Sequence, residues 1–157
     1  MDLDHNYFMN LALEEAKKGF IKSEVPVGAI LIDLYGRQIA SAHNLTITNN
    51  DPTSHAEIIA LRKASKFTGN YRLNNTVLYV TIEPCIMCMG ALVHARVKQI
   101  VFGAKDPKWG ACGSLYNFAD DSRLNHKIKL TWGIMEEECS NLMKNFFKLK
   151  RKHVATK

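Results

Sequence analysis

Two short stretches hold the residue types and spacing that metal-assisted chemistry needs. "SHAEIIAL" (54–61) sets His55 and Glu57 two positions apart, and "EPCIMC" (83–88) sets Cys85 and Cys88 three apart, directly behind Pro84. One imidazole and two thiols can make the three protein ligands of a catalytic zinc, whose fourth position is kept for water. A structural zinc instead closes its tetrahedron with a fourth protein ligand. Glu57 would stand beside such a site as a carboxylate able to take a proton from water and hand it on. On its own, Cys-x-x-Cys equally suits a thioredoxin-like redox pair, and a lone histidine is more often a core or surface residue.

The elements that must position these groups can be read from pattern. Proline is tolerated in the first turn of a helix, so "PCIMCMGALVHA" (84–95) is predicted as a helix with Cys85 and Cys88 in its opening turn. There the i, i+3 spacing puts both sulfurs on one face, and the positive helix end favours the thiolate. His55 is expected at a helix start, because mid-helix residues two apart diverge by about 200°. "NTVLYVTIE" (75–83) reads as a strand buried on both faces, and "KQIVFGA" (98–104) as its parallel neighbour through a right-handed crossover. A first helix is expected over 4–18, with Asp4 as cap and Gly19 as stop. A hairpin follows from 27–34 and 37–44, and "LTITNNDPT" (45–53) is a loop leading to His55. "HKIKLTWGI" (126–134) is a last strand, and "MEEECSNLMKNFFKLKRK" (135–152) a last helix, acidic at its start and basic at its end. With no repeat or linker, 1–157 is expected to form a single domain. Its class is α/β, a three-layer α/β/α sandwich around a central mixed sheet of about five strands, with at least three helices.

Composition bounds the rest. A chain of 157 residues, 46% hydrophobic and 23% charged, can bury a core without staples. No apolar run approaches the ~20 residues of a membrane span, and the start "MDLDHNYF" lacks signal-peptide features, so a cytoplasmic protein off the membrane is expected. Cys85, Cys88, Cys112 and Cys139 are too unevenly spaced for a disulfide framework. The net charge of +6 is matched by Lys144, Lys148, Lys150, Arg151, Lys152 and Lys157, in a final segment without an acid. Such an end suits a polyanion such as nucleic acid, or merely complements the dipole of a solvated helix.

H-A-E at 55–57 and P-C-x-x-C at 84–88 together resemble the zinc-dependent cytidine deaminase superfamily. Within it, "EVPVGAIL" (24–31), "NDPTSHAEIIALR" (50–62), "NYRL" (70–73), "LYVTIEPCIMCMGALVHARV" (78–97) and "VFGAKD" (101–106) are similar to the bacterial tRNA-specific adenosine deaminases. The resemblance runs from the first helix to the last and implies a cytidine deaminase-like fold. It implies a hydrolase that converts adenosine to inosine at the wobble position of a tRNA anticodon, with zinc-activated hydroxide attacking C6. One Zn2+ per subunit would be held by His55, Cys85 and Cys88, with Glu57 as proton shuttle. These roles are matched to the family pattern, not deduced from spacing. Asn44 falls on the family's base-pocket asparagine, and Asp106 on a residue that contacts a ribose 2′-hydroxyl. Lys108 and the segment from Phe147 to Lys152 would lie along the RNA. The implied partner is a tRNA anticodon stem-loop, an arginine tRNA with wobble A, bound by a homodimer.

Two residues depart from the family pattern, Trp109 and Cys112 in "DPKWGACGSL" (106–115). Cys112 could be a fourth ligand, a spare thiol near the pocket, or an inert packed thiol as expected for Cys139. Trp109 could stack on a base or be buried under its loop. His5, His43, His94, His126 and His153 read as surface or core residues, with an RNA role open for His126. Met87, Met89, Leu92 and Val93, and Leu142, Phe146 and Leu149, read as helix packing. The competing readings are a free guanine or cytosine deaminase of the same superfamily, a non-catalytic zinc-stabilised RNA-binding module, and a thiol redox protein.

Overall fold

A computed structural model describes residues 2–155. Asp4 caps the first helix by accepting a hydrogen bond from the Tyr7 N–H at 3.0 Å, and α1 spans His5–Ile21. Gly19 is therefore not its stop. The position is buried beside His43 and Glu24, and the chain leaves the helix only at Lys22, whose N–H bonds back to Gly19. The hairpin follows as β1 (Gly28–Asp33) and β2 (Gln38–His43), then α2 (Ala56–Thr68) and β3 (Thr76–Ile82). Next come α3 (Ile86–His94), β4 (Gln99–Ala104), β5 (Lys129–Trp132) and α4 (Glu136–Ala155).

The five strands form one mixed sheet in the order β2-β1-β3-β4-β5. β1 is antiparallel to β2 and to β3, whereas β3, β4 and β5 run parallel. Every residue of β3 is buried, as its unbroken apolar run predicts. Alternation along the strands splits the core into two layers. Ala29, Leu31, Leu78, Val80, Ile100 and Phe102 pack with Ala60, Leu61 and Ala64 of α2 and Met89 and Leu92 of α3. Ile30, Ile32, Val77, Tyr79 and Val101 pack on the other face with Phe8, Met9, Ala12 and Leu13 of α1 and Cys139 of α4. The arrangement is the expected three-layer α/β/α sandwich. Two glycines let helix and sheet approach: a Cβ at Gly28 would strike the Ala12 carbonyl, and one at Gly103 the Cys139 sulfur.

Two expectations about helix contents need correction. α3 begins one residue after Cys85, which is its extended N-cap (φ −77°, ψ 175°), so Pro84 lies outside the first turn. Its carbonyl is instead tied to the Ala111 N–H at 2.9 Å. In α4, Phe146 is 5% exposed but Leu149 is 49% exposed, so of these two only Phe146 packs into the core. Lys157 of the basic run lies outside the described residues. Among the described residues no helix is long and apolar enough to cross a membrane.

Candidate active site

Because β3, β4 and β5 run parallel, their C-terminal ends share one edge, where open α/β sheets place their ligands. β3 delivers Cys85 there as the N-cap of α3, and Cys88 follows as its third helical residue. α2 arrives from the neighbouring loop with His55 as its N-cap and Glu57 in its first turn. The His55 side chain makes no capping bond. Asn44, at the end of β2, caps the helix in its place: its Oδ1 accepts the Ala56 N–H at 2.7 Å. The imidazole is thereby left to face the two sulfurs.

His55 Nδ1 lies 3.6 Å from Cys85 Sγ and 3.6 Å from Cys88 Sγ, and the three donor atoms fall within 4.8 Å of one another. A tetrahedral zinc with Zn–S near 2.3 Å and Zn–N near 2.05 Å requires N···S edges of about 3.6 Å, so the donor set and its spacing fit that ion. The ionisation of these groups is coupled. A hydrogen bond from Cys88 holds the Cys85 thiol down at about 4, with His55 adding to the effect against burial. The Cys88 thiol is pushed up by that same bond, by burial and by the Glu57 charge. His55 is raised, chiefly by its bond to Cys85. Glu57 is only 4% exposed, and burial pushes its carboxyl above the usual range. A bound ion would have to displace the Cys88 proton and keep His55 neutral, and it would lie beside a carboxyl whose protonated form is favoured by burial.

Residues 3–104 match the cytidine and deoxycytidylate deaminase zinc-binding region. The chain belongs to this deaminase family. Among its relatives, the tRNA-specific adenosine deaminase of Haemophilus influenzae is 50% identical over 143 residues, covering 91% of this chain and 83% of the relative. That of Bacillus subtilis is 46% identical over 145 residues, covering 92% and 89%. A solved structure of a tRNA:A34 deaminase, described as performing A-to-I editing at the wobble position of transfer RNA, superposes with a TM-score of 0.83 at 41% identity. It covers 87% of this chain and 98% of its own.

The deaminase site is framed by two loops, each organised by a buried carboxylate. Glu24, fully buried, accepts the Ile47 N–H at 3.0 Å, the Thr48 N–H at 2.8 Å and the Thr48 hydroxyl at 2.6 Å, fixing the loop that precedes α2. Glu83, 3% exposed, does the same for the loop after β4. It accepts the N–H groups of Asp106 (3.1 Å), Cys112 (3.0 Å) and Ser114 (3.1 Å) and the Ser114 hydroxyl (2.5 Å). A Cβ at Gly110 would strike that carboxylate. Sequence reasoning missed both acids. The available signal was an acidic residue inside or beside a buried apolar strand, which needs partners to be tolerated.

Asp106 turns its Oδ1 to the N–H groups of Lys108 and Trp109 (3.0 and 3.2 Å), and Lys108 is exposed in the same turn. Phe147 is exposed on α4, next to the Phe146 ring that meets Phe20 of α1. Cys112 is buried with its sulfur 3.1 Å from Met89 Sδ and is not grouped with the triad, and burial raises its thiol. Cys139 packs against β4, its thiol raised to about 12 by burial. Both are packed thiols. Trp109 is 65% exposed, which removes burial under its loop. His126 Nε2 donates to the Val97 carbonyl at 2.7 Å, so the ring carries its proton there. His5 bonds the Tyr79 hydroxyl at 2.8 Å, and His43 bridges Glu15 and Lys22.

Proposed function

We propose that this protein hydrolytically deaminates adenosine to inosine at the wobble position of a tRNA anticodon. The observation that carries the proposal is the buried Glu57 carboxyl standing two residues from an imidazole whose Nδ1 is 3.6 Å from both thiol sulfurs. The relatives named as tRNA-specific adenosine deaminases support the choice of substrate.

His55, Cys85 and Cys88 hold one Zn2+ per subunit. What the bound ion supplies is Lewis acidity, which brings the pKa of water to about 7. Glu57 takes the proton that water loses as its oxygen bonds to C6 of adenine, and delivers it to ring N1. The same carboxylate then takes the proton of the new C6 hydroxyl and passes it to the exocyclic nitrogen as the C6–N bond breaks, so ammonia leaves and inosine remains with a C6 carbonyl and a proton on N1. Burial raises the Glu57 carboxyl above the usual carboxylate range, which suits a group that must both take and give a proton.

Asn44 uses Oδ1 on α2 and keeps its amide N–H groups for the purine edge. Asp106 keeps a carboxylate oxygen for a ribose 2′-hydroxyl, a group that separates RNA from DNA. Lys108 and Phe147 lie along the anticodon loop. The protein acts in the cytoplasm as a homodimer, and its substrate is an arginine tRNA with A at the wobble position. The test is to incubate the zinc-loaded protein with a transcript of that tRNA and sequence the product. Inosine confined to the wobble position is expected. No inosine, together with turnover of free guanine or cytosine, would overturn the proposal in favour of a nucleobase deaminase.

A further inference from the structure

The chain has two tryptophans, and both stand at the C-terminal edge of the parallel strands, where the triad lies. Trp132 ends β5 and is 51% exposed, with Lys105 Nζ 3.8 Å from its ring centre. Trp109, in the loop after β4, is 65% exposed, and among the described residues no ring stacks on it. Both indoles offer an aromatic face at the edge where the triad lies, and a base can stack on such a face.

The backbone under Trp109 is fixed from every side. Its N–H and that of Lys108 bond Asp106 Oδ1, and the Gly110 N–H bonds the Asp106 carbonyl at 2.9 Å. Gly110 forms an isolated bridge with Cys85, and Ala111 bonds the Pro84 carbonyl. The Glu83 carboxylate holds Asp106 on one side of the turn and Cys112 and Ser114 on the other. Trp109 therefore sits one residue from a position paired with a metal-ligand cysteine, and its backbone cannot shift relative to the triad without breaking those bonds.

We infer that Trp109 is a rigid stacking platform for a base next to the target nucleotide, and that it sets the affinity and register of the RNA loop. Stacking is available to any base whose neighbours have been splayed apart. The exposed Lys108 beside the indole, and Lys105 at the same edge, supply the positive charge that a phosphate backbone needs and that an apolar protein contact would not. The inference rests on the proposed tRNA activity.

The experiment compares wild type, Trp109→Ala and Trp109→Phe on the wobble-A tRNA transcript by steady-state deamination and sedimentation velocity. Trp109→Ala is expected to raise KM about 5- to 100-fold, with kcat within about threefold, and Trp109→Phe to restore most of the loss. An active wild type whose KM is unmoved by Trp109→Ala overturns the platform and leaves the proposed function standing. A Trp109→Ala protein that sediments as a smaller species than wild type also overturns it, by placing the indole between subunits. A wild type that makes no inosine removes the proposed function, and the platform with it.

Discussion

At Cys85 and Cys88 one proton is shared between two sulfurs: the bond from Cys88 holds Cys85 down at about 4, and the same bond pushes Cys88 up. Zinc requires both as thiolates, so binding must expel the Cys88 proton. His55, raised by its bond to Cys85, must also be neutral to ligate. The sign follows directly: acid opposes loading. Zinc affinity measured by chelator competition is expected to fall at least about tenfold per unit as pH drops from 8 to 6. An affinity that stays flat across that range would contradict the assignment of Cys88 as a thiolate ligand.

At the scale of elements, α2 depends on a side chain twelve residues before its first turn. The Asn44 bond to the Ala56 N–H supplies the cap that His55 does not, which frees the imidazole for the sulfurs. Asn44→Ala is expected to cost about 1 kcal/mol, read as a lower melting temperature by a few degrees. Asn44→Asp keeps an acceptor at the helix start and so keeps the stability, but removes the amide donor proposed for the purine edge. Full activity in Asn44→Asp would show that the residue serves only as a cap. This dependence was not legible in the sequence, because a side chain that reaches across a loop leaves no periodic trace. The same holds for Glu24 and Glu83, whose partners lie more than twenty residues away. What periodicity does record was legible: the buried run of β3, the hairpin of β1 and β2, and the amphipathic face of α1. The start of α3 was misplaced by two residues because proline tolerates a first turn but does not require one, and the tie from its carbonyl to Ala111 is invisible in sequence. The triad itself could be read because Pro-Cys-x-x-Cys and His-x-Glu each keep their ligands within a single turn of chain.

For the whole molecule, two terms depend on solution conditions. Lys148 and Lys150 are exposed on the last turns of α4, and each phosphate they neutralise adds about 0.7 to the slope of log K against log salt for a single-stranded loop. The double variant Lys148→Gln, Lys150→Gln is expected to bind tRNA more weakly and with a slope shallower by about 1.4; an unchanged slope would remove these cations from the RNA path. Stability should answer to acid through Glu24. Burial pushes its carboxyl up, but the hydrogen bonds from Thr48, Ile47 and Thr46 outweigh that and hold it below the usual 4.5. Its contribution is thus complete above pH 4.5 and is lost as pH falls through the lower folded value. The melting-temperature gap between wild type and Glu24→Gln should be widest near pH 6 and narrow toward pH 3.5; a gap independent of pH would contradict this. The central claim, that Glu57 moves the proton in a zinc-assisted deamination, is tested most directly by single-turnover deamination of the wobble-A tRNA with Glu57→Gln, with zinc content measured on the same sample. Wild-type zinc and a rate lower by about 10²- to 10⁴-fold are predicted. A Glu57→Gln protein that holds zinc and forms inosine at the wild-type rate would contradict it.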